Sequence, residues 1–283
     1  MTGKISLALH IGAIVVVAGI ACGWTRGDDQ QGQQRSQSEA LRNLPNEAFG
    51  FGETLQFNVS YGFITAGTAT MAVTAVPEYI ENHECYHVKF DVTSKSSFDW
   101  LYKVRDHYDT YIDVDGIFPW KFEQHVHEGG YARDFRATFD QKMHIAHTTD
   151  DNQSYPIPAY VHDILSAYYF VRTLDLKSMH KDDKIHLQNF YKDKVHDVDV
   201  RILGRERVEV DAGTFDCVVV EPLVTEGGLF KHAGRIIIWM TDDDRKIPVK
   251  VNTKVVIGSI DATLTSYSGI RGLYRASRTM ISR

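Results

Sequence analysis

Residues 53–75 read ETLQFNVSYGFITAGTATMAVTA, and they carry the clearest strand pattern in the sequence. In its first half, large apolar residues alternate with polar ones in strict period two, the pattern of a strand with one buried face. These apolar residues are Leu55, Phe57, Val59 and Tyr61. After a turn over 62–67, the alternation resumes in Ala69, Met71, Val73 and Ala75. The stretch therefore predicts an antiparallel hairpin.

Similar strand patterns recur on both sides of one helical pattern. They lie near 84–94, 103–114, 117–127, 131–139 and 142–148, and again near 197–202, 205–211, 214–221, 233–241, 247–257 and 259–267. Between the two groups, residues 159–175 carry apolar side chains at helical spacing. Because a twisted antiparallel sheet of about ten or more strands tends to curl or close, we predict a mainly β fold. Its form is a large curved antiparallel sheet or incomplete β-barrel with one central amphipathic helix, and two packed sheets are the alternative.

Composition and motifs exclude several classes of function. The chain of 283 residues has 31 basic and 37 acidic side chains, so it lacks the clustered positive charge that holds a nucleic acid. It also contains no phosphate-binding glycine loop, no dinucleotide fingerprint and no GxSxG nucleophile motif. We therefore predict no nucleic-acid partner, no cofactor and no catalytic residue, and an enzyme is the less favoured interpretation.

The N-terminus points to export. Lys4 precedes an apolar run over 11–22, in the order and length of a secretory signal. Counted from Ile5, the run is long enough to cross a bilayer as an uncleaved anchor. We predict a signal peptide or membrane anchor over 1–24 and a periplasmic location, with the protein attached to the membrane or released after cleavage.

The segment that follows suits an anchored protein. Residues 19–22, Gly-Ile-Ala-Cys, resemble a lipobox with Gly19 in place of the usual leucine, so Cys22 is a candidate for lipidation, with ordinary cleavage after Ala21 as the alternative. Residues 25–48 are polar and poor in aromatic and β-branched side chains, which predicts a flexible linker. A single β-rich domain is expected over 49–270, with a tail over 271–283.

Two further cysteines admit two interpretations. Cys85 and Cys217 form an even pair in an oxidising compartment once Cys22 is removed or acylated, which allows a disulfide. Both lie in apolar, strand-like stretches, where two separately buried thiols are the alternative. Neither has the surroundings of a nucleophile.

The histidines give no metal motif. His125 and His127 alternate on a predicted strand, which places both rings on one face. Other candidate ligands on segments that could converge with them are Glu123, His107, Asp109, His144 and His147. HExxH and paired CxxC motifs are missing, and histidines on the solvent face of a sheet explain the same residues. We predict no metal site.

Large aromatic side chains exceed what one face of a thin sheet needs. The candidate ligand-binding residues are Trp100, Tyr102, Trp120, Tyr168, Tyr169 and Trp239. A cavity between a curved sheet and its helix is a natural place for an apolar ligand, so we predict a non-catalytic periplasmic protein that binds a lipid or a lipidated partner. The alternative is a structural or interaction module of an envelope assembly with a fully packed interior, and a hydrolase of unknown type is third.

Several motifs resemble a known family, the bacterial domain-of-unknown-function family 3108, over roughly residues 50–268. They are Gly52-Glu53 with Tyr61 and Ala66-Gly67, the stretch 163–169, the stretch 213–217, and Trp239 followed by Asp243 and Pro248-Val249. The resemblance implies an exported, β-rich envelope protein and supplies no catalytic residues. The segment from Trp239 to Val249 is also similar to the last strands of LolA/LolB-type lipoprotein carriers, half-open barrels that hold acyl chains. Gly19 and the Gln-rich linker depart from these patterns.

Overall fold

The computed structural model describes residues 41–224, 234–255 and 257–271. The predicted signal peptide or anchor, the lipidation site Cys22, the linker as far as residue 40 and the tail beyond residue 271 lie outside the described residues.

Strands dominate the described chain, and one helix interrupts them. In chain order the elements are β1 Thr54–Tyr61, β2 Ile64–Val73, β3 Glu78–Ile80, β4 His83–Ser94, β5 Arg105–Asp113, β6 Pro119–Glu128, β7 Tyr131–Asp140, β8 Ile145–Thr148, β9 Ser154–Pro156, α1 Ile164–Thr173, β10 Lys184–Tyr191, β11 Lys194–Val210, β12 Gly213–Val224, β13 Ile236–Thr241, β14 Pro248–Lys254 and β15 Ser259–Ser268.

All strands belong to one antiparallel sheet. Its order is β10-β11-β12-β13-β14-β15-β1-β2-β4-β5-β6-β7-β8-β9, with β3 paired to β4 beside this path. The first and last strands of the chain are therefore neighbours, and the ends of the sheet are the consecutive strands β9 and β10. Beyond β9, the chain forms a parallel bridge from His162 to Asn189 of β10, next to α1, and the rings of Tyr155 on β9 and Phe190 on β10 lie 5.9 Å apart. The predicted fold class is confirmed: the sheet is large and curved, it is not closed into a barrel, and it has one helix.

The opening hairpin forms as its alternation predicts. Leu55, Phe57 and Val59 are buried on the concave side, and β1 pairs with β2 in antiparallel register. Gly67 lies opposite Val59, next to an irregularity in the register. A Cβ atom at Gly67 would lie 2.6 Å from the carbonyl oxygen of Thr93, so only glycine allows β2 to approach β4 this closely.

The helix is shorter than the predicted span of 159–175. It begins at Ile164 because Asp163 caps it, accepting hydrogen bonds from the backbone N–H groups of Leu165 at 2.8 Å and Ser166 at 3.0 Å. The Ser166 hydroxyl accepts in return from the Asp163 N–H, which completes a capping box. The chain before Asp163 stays extended, and there it forms the bridge to β10.

Apart from the short strands β3 and β9, which were not predicted, two longer strands differ from the sequence expectation. β10 was not predicted, and β11 is one strand of 17 residues where two were expected. A register shift between Ile202 and Gly204 bends β11 in its middle, with Gly204 at a φ of 144°. The extra residue lets β11 continue as one strand while its pairing with β12 shifts by one residue.

The described part of the predicted linker, 41–48, packs against the domain. Arg42 donates hydrogen bonds to the carbonyl oxygens of Gly116 at 2.7 Å and Ile117 at 2.8 Å, and its guanidinium lies 4.6 Å from the ring centroid of Tyr160. Ala48 is buried. Leu41 and Leu44 also pack against the core clusters, so residues 41–48 contact the folded strands although the composition of 25–48 predicts a linker.

Candidate functional site

An apolar cavity of about 140 Å³ lies between α1 and the concave face of the sheet. The helix contributes Ile164, Leu165, Ala167, Tyr168 and Val171. Side chains that alternate along β11, β12 and β13 form much of the opposite wall: Val198, Val200, Val220, Ile236, Ile238 and Met240. This is the combination of a curved sheet and a covering helix in which ligands of β-rich proteins are often held.

Small side chains leave this space open. Ala167 on the helix faces the cavity, and Ala69 on β2 and Ala262 on β15 face it from the sheet. Each is almost completely buried. In a close-packed interior, larger residues at these positions would occupy the volume, so the cavity is a consequence of alanine where the rest of the core has phenylalanine, leucine or isoleucine.

A buried ion pair fixes the far end of the helix. Arg172 and Glu53 are both fully buried, and the guanidinium donates to the two carboxylate oxygens at 2.6 and 2.8 Å. It also donates to the carbonyl oxygens of Arg245 at 2.9 Å and Ala48 at 3.2 Å. Burial opposes the charge, but the Glu53 carboxylate outweighs it and holds the pKa of Arg172 above its usual value. The helical wall of the cavity is thereby tied to β1.

Two of the six predicted aromatic residues lie on the helix, and one of them lines the cavity. Tyr168 is partly buried and lines the cavity. Burial raises the pKa of its hydroxyl. Tyr169 is fully buried on the other side of the helix, with its ring 4.6 Å from that of Phe49.

The other four predicted residues lie away from the cavity. Trp100 is 82% exposed in the connection between β4 and β5. Tyr102 is half-buried and donates a hydrogen bond to Glu128, and Trp120 is buried in a separate cluster with Cys85. The ring nitrogen of Trp239 donates to the carboxylate of Glu206 at 2.8 Å, on the face of β13 opposite the cavity.

The sequence interpretation missed the aliphatic wall. Within Ile236-Ile237-Ile238-Trp239-Met240, side chains 236, 238 and 240 line the cavity, which places Trp239 outside. Every residue of this run is apolar, so the sequence carries no polar marker for the outward face. The strict alternation of β11 in Val198 and Val200 is the signal that identifies the inward face.

Asn189 contributes an amide to the cavity wall. It is 4% exposed, lies on β10, and its side-chain oxygen has no hydrogen-bond partner among the described residues. A buried amide of this kind can accept one hydrogen bond from a ligand that otherwise makes apolar contacts.

A pair of carboxyl groups is buried elsewhere, where β5 and β6 face the interior. Asp106 and Glu128 are 3% and 6% exposed. Burial, and then the neighbouring Asp106, raise the pKa of Glu128 to about 8. Glu128 therefore keeps its proton near neutral pH, and the Tyr102 hydroxyl lies 3.4 Å from its carboxyl group.

Histidines and aspartates line the outer face of β4 to β7. Asp109 is hydrogen-bonded by His87 at 2.6 Å and His107 at 2.7 Å, and His125 contacts Asp134 at 2.7 Å. Within the described ranges, no group of three or more histidine, cysteine and acidic side chains is arranged to hold a metal ion. These residues form a row of charged hydrogen bonds across the strands.

Cys85 and Cys217 are separate buried thiols. Neither forms a disulfide, and burial raises the pKa of each to about 12. In a Cys22→Ser chain, we expect neither thiol to react with a maleimide in the folded protein, and both to react in guanidinium without a reductant. A chain that reacts only after reduction would contradict this arrangement.

The sequence matches a family model over most of this fold. The model, described as a protein of unknown function (DUF3108), covers residues 56–265. The chain belongs to the DUF3108 family. This DUF3108 chain matches no curated protein. In the part of it that the structure describes, no helix has the length and apolarity to cross a bilayer.

Several solved structures are similar to this DUF3108 protein. A β-barrel-like protein of the domain of unknown function DUF1849 from Brucella abortus matches with a TM-score of 0.52 and 11% identity, over 81% of this chain and 99% of that one. A candidate lipoprotein from Parabacteroides distasonis has a TM-score of 0.35 and 10% identity, over 81% and 100%. A candidate exported protein of Bacteroides fragilis with a YmcC-like fold has a TM-score of 0.31 and 14% identity, again over 81% and 100%.

Proposed function

We propose that this protein binds a hydrophobic ligand, a lipid or the acyl chain of a lipidated partner, in the cavity between α1 and the sheet. The observation that carries the proposal is the wall itself, where apolar side chains from the helix and from nine strands enclose a space left by three alanines. An apolar cavity of this kind excludes water and gains free energy when an apolar group enters it.

The size of the cavity limits what it can hold without rearrangement. A dry cavity of about 150 Å³ takes a benzene-sized ligand. The cavity here is of that size, so it suits the end of an acyl chain or one small ring, with the rest of the molecule outside. Asn189 can accept a hydrogen bond from a hydroxyl or amide group of the same ligand.

Binding without catalysis fits the chemistry of the wall. The lining residues that the structure describes include no serine, cysteine, histidine or carboxylate, and the Tyr168 hydroxyl contacts the carbonyl oxygen of Lys246 at 3.5 Å. The N-terminal sequence supports the periplasm as the place of action, with attachment to the membrane through a lipidated Cys22 or an uncleaved anchor.

Mass spectrometry of bound lipid tests this proposal. A chain starting at Leu41 retains every core residue described above and can be sent to the periplasm by a heterologous signal, then purified without detergent. We expect organic extracts to contain about one lipid per protein, against a mock purification. In an Ala262→Phe variant the new ring occupies the cavity, and the lipid should fall about tenfold or more.

The matched control is Ala132→Phe, at an exposed position on the outer face of β7. It adds the same ring outside the cavity and should leave the lipid content unchanged. A wild-type protein that is free of lipid, together with an Ala262→Phe variant of higher stability, would favour the alternative of an interaction module whose interior is meant to be packed.

A further inference from the structure

Exposed apolar side chains gather at one end of the sheet. Nine large apolar side chains are exposed in the described part of the chain, and six of them lie in or next to turns at the same end. The six, here called the turn rim, are Phe63, Ile64, Trp100, Leu101, Tyr131 and Ile257. The exposed fraction reaches 82% at Trp100 and is complete at Phe63. Such clustering is unusual for a solvent-facing surface and marks a contact.

The four turns form one continuous edge. They connect β14 to β15, β1 to β2, β4 to β5 and β6 to β7, which follow one another in the sheet. Hydrogen bonds tie them together: the Tyr61 hydroxyl donates to the carbonyl oxygen of Ile257, and the Lys95 and Gly129 N–H groups donate to the carbonyl oxygens of Ala66 and Lys103, each at 2.8 Å. The apolar tips therefore project side by side from rigid strands.

We propose that the turn rim inserts into the interfacial region of a phospholipid bilayer. Tryptophan and tyrosine beside aliphatic side chains are the residues that favour the headgroup level of a membrane. Exposed Lys95, Lys103 and Lys254 flank the rim, and the acidic residue among its tips, Asp99, is neutralised by Arg105 at 2.6 Å. Lysines placed above apolar tips are complementary to the anionic headgroups of a bilayer.

The tether permits this orientation. The N-terminal segment joins the domain at the opposite end of the sheet, where the Leu44 N–H donates to the carbonyl oxygen of Asp115. The 16 residues 25–40 span up to about 55 Å when extended, whereas a strand of ten residues is about 33 Å long. A domain anchored by its N-terminus can therefore turn its rim toward the same membrane.

The rim also lies near the cavity. Ile236, the first residue of β13, and Pro222, two residues before the end of β12, both line the cavity. Both strand ends are on the side of the sheet that carries the turn rim. Docking there would bring the cavity within a few residues of the lipid, although the rim inference stands on its own observations and does not require that the cavity holds a ligand.

An environment-sensitive fluorophore on the full chain tests the insertion. In a Cys22→Ser background, Leu101→Cys and Phe63→Cys carry the probe at the rim, while Cys85 and Cys217 are buried and unreactive. The matched controls are Val76→Cys and Tyr79→Cys, exposed apolar residues at the opposite end. The probe on the full chain is read with and without vesicles of phosphatidylcholine and phosphatidylglycerol, and all variants carry the same N-terminus, so any contribution of that segment is equal in rim and control variants.

We expect the fluorescence emission of the rim probes to shift to shorter wavelength when vesicles are added. Lipids that carry a doxyl group on the acyl chain should quench this emission severalfold more for the rim probes than for the controls. Salt should weaken the effect because it screens the lysines. Rim and control probes that remain equally exposed to water would overturn the proposal. A rim probe that stays exposed to water with pure lipid vesicles but is shielded in native envelope membranes would overturn insertion into the bilayer and indicate a protein partner instead. The Ala262→Phe variant should leave the rim signal unchanged, which keeps this test separate from that of the cavity.

Discussion

Replacing Arg172 with methionine should lower the free energy of unfolding by about 3–5 kcal/mol, because it leaves the Glu53 carboxylate buried without its partner. Both side chains are inaccessible to solvent, and two short hydrogen bonds join them. Methionine keeps most of the volume, so the loss reports the unpaired charge and not a large cavity. Urea unfolding followed by circular dichroism measures the change.

Two further variants define the cause. Arg207→Met breaks an exposed bidentate pair with Asp216, and we expect it to leave the free energy of unfolding almost unchanged. The double variant Arg172→Met/Glu53→Leu removes both charges and should recover most of the loss. Equal effects of Arg172→Met and Arg207→Met would show that the buried pair does not hold the helix on the sheet.

The stability of the wild-type domain should decrease as the pH rises from about 5 to about 8, and Glu128→Gln should remove about 3 kcal/mol of this decrease. Glu128 has a pKa of about 8 in the folded protein against an ordinary value of 4.5. Over this range the unfolded chain loses the proton while the folded chain retains it, so ionisation favours unfolding. Glutamine keeps the shape and cannot ionise.

Urea titrations at a series of pH values measure this difference. At the acidic end the two proteins should be similarly stable, and at the alkaline end the Glu128→Gln variant should be the more stable one. The control is Glu209→Gln, at an exposed position on β11. A Glu128→Gln difference that stays constant across the pH range would mean that Glu128 is ionised in the folded protein.

Much of the fold follows from local pattern. The alternation from Leu55 to Tyr61 fixes which face of β1 is buried, and the helical spacing around Leu165 places one helix among strands. β10 escaped prediction because Asn189 stands at an inward position and Phe190 and Tyr191 are buried in succession, which breaks the alternation. Pairing between strands that are distant in sequence, such as β1 with β15, depends on the curvature of the whole sheet, so no local sequence pattern predicts it.

The site was harder to predict than the fold. A curved sheet under a helix indicates a concavity, and Tyr168, one of the six predicted residues, lines it. The size of aromatic side chains does not reveal the face they occupy, and Trp100 and Trp239 point away from the cavity although both lie in apolar stretches. The space itself depends on Ala69 and Ala262. Their small side chains do not indicate a cavity in the sequence, because they face the same space only once their strands lie in one folded sheet.

The pairing of the first strand with the last has a mechanical consequence. The chain passes from the packed segment 41–48 into β1, and β1 is hydrogen-bonded along its whole length to β15 on one side and to β2 on the other. A force applied to β1 along the strand direction would load the hydrogen bonds of both ladders together instead of opening them one after another. Residue Glu53, at the point of entry, is also locked to the helix by Arg172. β1 stands in the middle of the strand order, away from the two ends of the sheet at β9 and β10, so such a force would enter the sheet at a strand that is paired on both sides.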